Sequence, residues 1–121
     1  MAEDLNSRYR RILANQLTMN EQTWATLQRH GVTEDTELRL DFTYEAPDEP
    51  SALKLQAVLK RETDYDVAVK SAGGFPRKQW TVTGSTQPTA ISQAILDQWV
   101  DWMVTAGLHQ NCEFDGWGAS S

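Results

Sequence analysis

Few side chains in this sequence are suited to catalysis or metal binding, and their spacing decides what they could do. His30 and His109 are the two histidines, and Cys112 is the one cysteine. Zinc takes Cys and His ligands set a few residues apart on a shared surface. His109 and Cys112 are three apart, and both fall in a segment expected to be a strand. Positions three apart on a strand point to opposite faces, so the pair is a poor ligand set and no metal is expected. Cys112 falls on the inward face of that strand, where a cysteine usually serves as a small buried hydrophobe rather than as a nucleophile. Asp64 and Asp66 share one strand face, and Asp97 and Asp101 lie four apart on a helix. General acid-base work needs a carboxyl in a desolvated cleft with a shifted pKa, and all four fall on faces expected to meet solvent. Gly73-Gly74 precedes a strand and Gly84-Ser85-Thr86 lacks P-loop spacing, so no phosphate cradle is read. No catalytic residue, cofactor site or metal site is predicted, and the chain reads as non-enzymatic.

Hydrophobic rhythm predicts the elements that would position these residues. Leu5, Tyr9, Ile12, Leu13 and Gln16 recur at three and four, which predicts a first helix from Asp4 to about Leu17. Thr18 or Asn20 then reads as the N-cap of a second short helix. Glu21 stands three after Thr18 as in a capping box, Trp24 and Leu27 form the apolar side, and Gly31 is the C-cap. Leu38, Leu40, Phe42 and Tyr44 alternate with Arg39, Asp41 and Thr43, the period of a half-buried strand. Pro47 to Ser51 turns into a helix over 51–62 with Ala52, Leu55, Val58 and Leu59 toward the core. Tyr65, Val67 and Val69 alternate in a second strand. Gly73-Gly74-Phe75-Pro76 is the turn into a third strand, Lys78 to Thr83, with Trp80 and Val82 inward. The longest helix is expected from about Pro88 to Ala106, with an apolar stripe of Ile91, Ile95, Trp99, Trp102, Met103 and Ala106 and with Gly107 as its cap. A fourth strand follows over about 108–115.

Two amphipathic helices and four half-apolar strands are simplest to pack as an α+β split β-α-β sandwich, a four-stranded antiparallel sheet with two helices on one face. The two N-terminal helices precede it. A single domain over 1–121 is expected, with 1–31 a helical extension and 37–118 the sandwich.

Bulk properties narrow the function classes. With 40% hydrophobic and 23% charged residues, the composition is that of an ordinary globular domain. No apolar run approaches the roughly 20 residues needed to span a bilayer, so no membrane association is expected. The opening Met1-Ala2-Glu3-Asp4-Leu5-Asn6 lacks secretory-signal regions, and the lone cysteine cannot form an internal disulfide, so a cytoplasmic location is expected. A formal net charge of −6 repels phosphate backbones, and no direct nucleic-acid binding is expected. Arg8, Arg10 and Arg11 form one tight basic group, read as a solvated helix face. An acidic chain of this kind better suits a basic protein partner.

The densest unexplained feature is Glu113-Phe114-Asp115-Gly116-Trp117-Gly118. A tryptophan between two glycines, past the end of the strand's alternation, is either folded back as a lid over the core or displayed as a binding anchor. Phe114-Asp115-Gly116-Trp117-Gly118 resembles the signature ending of the regulator of ribonuclease E activity B family, also called ribonuclease E inhibitors. The long helix over 90–105, the segment Glu37 to Tyr44 and the restart Tyr65-Asp66-Val67 are similar to the family's pattern. So is the helix-plus-glycine stretch Asn20 to Gly31. The resemblance implies a ferredoxin-like sandwich and a non-enzymatic regulator that binds the basic, disordered scaffold region of the ribonuclease. It also implies that Phe114, Asp115, Gly116, Trp117 and Gly118 contribute to partner binding. The family's best-known members carry a long acidic tail after the motif, where this sequence has Ala119-Ser120-Ser121. If that tail helps engagement, weaker binding or a different partner is expected. The alternatives are a ligand-sensing ferredoxin-like domain, often dimeric, and an interaction protein with an unrelated partner. Oligomeric state is not readable.

Overall fold

The computed structural model describes residues 3–73 and 79–120. The fold is α+β, with three helices and an open antiparallel sheet of five strands among those residues. In chain order the elements are α1 (Leu5–Arg29), β1 (Glu37–Ala46), α2 (Glu49–Glu62), β2 (Asp66–Ala72), β3 (Gln79–Ser85), β4 (Thr89–Ala90), α3 (Gln93–His109) and β5 (Glu113–Ser120). β1 is the central strand. On one side it pairs with β3, which pairs in turn with β2. Along its other side it pairs with β5, and at Glu37 and Leu38 it also pairs with the short β4.

The alternation of β1 builds the core. Leu38, Leu40, Phe42, Tyr44 and Ala46 are buried, while Glu37, Arg39, Asp41 and Glu45 are exposed. Phe42, Tyr44 and Ala46 pack with Ala52, Leu55 and Leu59 of α2, with Val100, Met103, Val104 and Leu108 of α3, and with Ile12 of α1. A second cluster joins Trp24, Leu38, Leu40, Ile91 and Leu96. Tyr44 is fully buried, and its hydroxyl donates to the carbonyl of Met103 at 2.7 Å, so the one polar atom on that ring is satisfied.

Several expectations require correction. The two N-terminal helices are one helix of 25 residues. Neither glycine nor proline interrupts positions 4–30. Thr18 does not cap a second helix, because its hydroxyl donates back to Ala14 O at 3.2 Å inside the continuous one. Asn20 is fully buried in mid-helix, and no capping box exists at Glu21. Asp4 is the actual N-cap, accepting from Ser7 N at 2.7 Å. Gly31, with φ 92, does close the helix after the C-cap His30.

The sheet carries five strands rather than four, since Thr89–Ala90 pairs with the start of β1. The last helix therefore begins later than Pro88, capped by Ser92, which accepts from Ile95 N at 3.2 Å. Its stripe is rotated by one residue. Leu96, Val100, Met103, Val104 and Leu108 are buried, whereas Ile95 and Trp102 are 49% and 42% exposed. The apolar arc of α3 is wide, so periodicity alone did not set which part of it is buried. Gly107 is no cap but a buried helical position, where a Cβ would lie 2.5 Å from Tyr44 Cε2. Leu108 and His109 end α3 and Cys112 precedes β5, so none of the three is the strand residue expected. The expected turn residues Gly74, Phe75 and Pro76, and Lys78 as the start of the third strand, lie outside the described residues.

Candidate partner-binding surface at the last strand

The motif is part of β5, not an appendage after it. Trp117 stands opposite Phe42 and Gly118 opposite Asp41 in the ladder with β1. The register then shifts: Thr43 faces Gly116 while Tyr44 faces Phe114, which leaves Asp115 as an extra residue on β5. This is a β-bulge. Gly116 has φ 155, a conformation that side-chain-bearing residues rarely adopt, so glycine is what permits the bulge.

The bulge turns the motif's two aromatic rings toward the core. Phe114 is buried and meets Tyr44 edge-on at 5.2 Å. Trp117 is half-buried and meets Trp99 edge-on at 6.2 Å. Its indole Nε1 donates to Asn20 Oδ1 at 2.7 Å, and Asn20 Nδ2 donates to Asp97 Oδ1 at 3.0 Å. One fully buried asparagine thus joins β5, α1 and α3. Four residues earlier on the same helix stripe, Gln16 Nε2 donates to the carbonyl of the bulged Asp115 at 3.3 Å. The lid alternative for Trp117 is the one these contacts support. Of the five motif residues, Asp115 and Gly118 are exposed.

Side chains read as solvated are also part of this joint. Asp97 and Asp101 are half-buried between α3 and α1. Asp101 accepts from the Tyr9 hydroxyl at 2.7 Å, and that hydrogen bond raises the tyrosine's pKa. Arg8 donates to Glu113 at 3.0 Å and to Asn111 Oδ1 at 2.8 Å, and Arg11 reaches Glu113 at 3.4 Å and Glu3 at 2.9 Å. Arg8 and Arg11 therefore bind α1 to β5 instead of forming a free basic face, while Arg10 is exposed. Asp64 and Asp66 do lie exposed.

Gln16, Asn20, Tyr9 and the Arg8–Glu113 pair were not identified as site residues from the sequence. A signal existed for two of them: Ile12, Gln16, Asn20 and Trp24 form one strict four-residue stripe, which places two amides among core positions. Among the described residues, no group of three or more His, Cys, Asp or Glu is arranged to hold a metal ion. His30 Nδ1 pairs with Thr26 O at 2.8 Å at the helix end. Cys112 is buried, and burial pushes its thiol up to about 11, which is the behaviour of a packed hydrophobe. No helix among the described residues is long and apolar enough to cross a membrane. This chain matches no protein-family model, and no curated protein matches it in sequence.

Proposed function

We propose that this chain is a non-enzymatic, cytoplasmic protein-binding regulator of the ribonuclease E inhibitor kind, which modulates RNA degradation by binding the basic scaffold region of the ribonuclease. The observation that carries the proposal is the Phe114–Gly118 motif. It forms a bulged last strand fastened to α1 through Asn20 and Gln16, with Asp115 turned outward. The ferredoxin-like reading of the sandwich is supported by the strand sequence β2-β3-β1-β5, with α2 and α3 each linking strands that are not neighbours. Acidity supports the choice of partner, because a net charge of −6 favours encounter with a basic segment.

The experiment is calorimetry and co-elution with the purified ribonuclease scaffold region. Binding at micromolar concentration that weakens as salt is raised is expected. Absence of both heat and co-elution removes the proposal. A cleft of about 260 Å³ beside Tyr65, Ile91 and Trp99 is open to the ligand-sensing alternative. Small-molecule sites are usually about 300–1,000 Å³, so this cleft is small for one.

A further inference from the structure

A groove of about 480 Å³ runs between α1 and the edge strand β5. Its helical wall is the flank of α1 carrying Arg11, Asn15, Thr18 and Met19, and Met19 is 47% exposed. Its other wall carries Glu45, Glu113 and Asp115. Arg8 and Arg11 compensate Glu113, but the ion pairs among the described residues include neither Glu45 nor Asp115. Both of these carboxylates are exposed, so the groove offers two uncompensated negative charges beside an apolar thioether.

A second, independent feature lies in the same groove. Gln16 lines it and is 5% exposed. Its amide N–H is committed to the Asp115 carbonyl, which fixes the orientation of the amide. Its Oε1 is buried without a hydrogen-bond partner among the described residues. Buried acceptors without donors are rare in folded proteins, and a slight opening of the groove would expose this one to a donor from a bound chain.

We propose that this groove binds an extended basic peptide, whose Lys or Arg side chain lies along Met19 with its cationic head between Glu45 and Asp115, and whose N–H satisfies Gln16. A long cationic side chain buries its methylene stem on apolar surface while the head stays among charges, and the groove supplies both environments. This rests on the protein-binding function above and specifies where and by what chemistry the partner is held.

The test uses the full chain and a synthetic peptide of alternating arginine and glycine, with affinity from calorimetry and location from backbone amide shifts. Shifts at Asn15, Gln16, Met19 and Asp115 are expected. The double change Glu45→Gln with Asp115→Asn should weaken the peptide about fivefold. The charge-matched change Glu34→Gln with Asp35→Asn, in the loop after α1, should leave affinity unchanged. Shifts over the open sheet around Asp41 and Asp66, no detectable binding, or equal affinity for the two charge variants would overturn the assignment. If the ribonuclease scaffold binds both charge variants equally, the groove falls and the regulator function stands. If the peptide occupies the groove but the scaffold does not bind, the groove stands and the ribonuclease partner falls.

Discussion

Asn20 shows how one side chain can hold three elements together. Its oxygen accepts from Trp117 and its amide donates to Asp97, with no surface left to water. Removing one partner of a buried hydrogen bond leaves the other unsatisfied, which costs about 1–3 kcal/mol. Trp117→Phe keeps a ring but loses the N–H, so it is expected to destabilise by about 1–2 kcal/mol in urea unfolding. Asn20→Ala is expected to cost somewhat more, because it strands both the indole N–H and Asp97. The two changes should not add, with a coupling of about 1 kcal/mol in the double-mutant cycle. Strict additivity would show that the bond carries no stability. This residue-scale joint was only partly legible beforehand. The motif stood out by composition, but whether Trp117 faced in or out depended on a helix 97 residues away in sequence.

At the scale of elements, the clearest expectations came from strict periods and the failures from ambiguous ones. β1 alternates cleanly between apolar and polar residues, and its burial follows that alternation. α3 carries a wide apolar arc beside the polar row Asp97, Asp101 and Thr105, and its buried side turned out one residue away from the expected stripe. α1 is unbroken because nothing in it forces a break; Thr18 and Asn20 are cap-type residues whose side chains found partners inside the helix and across it. Gly107 gives an element-scale prediction. Replacing a helical glycine by alanine usually stabilises by about 1 kcal/mol. Here the added Cβ would meet Tyr44 Cε2 at 2.5 Å, in a ring already fixed by its bond to Met103. Gly107→Ala is therefore expected to destabilise, by about 2 kcal/mol as overpacking typically does, read as a lower midpoint in urea. A higher midpoint would show that α3 can move away from β1 at little cost.

For the whole molecule, burial of weak acids sets the alkaline limit of stability. Cys112 is raised by burial from an ordinary 9.0 to about 11, and burial also raises Tyr44 well above its ordinary 10.0. A raised folded-state pKa means that the folded form holds the proton more tightly than the unfolded chain. That contribution is complete below pH 9 and is lost as pH rises toward 11. Thermal melts should therefore fall from pH 9 upward. Cys112→Ala should delay the onset to about pH 10, where Tyr44 takes over. An unchanged alkaline limb in that variant would show that the thiol is solvated. The sequence by itself determined the α+β class, the alternating central strand, the acidic balance and the unusual Phe114–Gly118 ending, because each is set by local period or composition. Only the tertiary structure decided that the ending is a bulged strand with Trp117 turned inward, that Gln16 and Asn20 are core positions, and that Asp97 and Asp101 face a helix instead of water. Those outcomes depend on contacts between residues some eighty to a hundred positions apart, and a buried amide is chosen by the partner it meets, which no local pattern of side chains records.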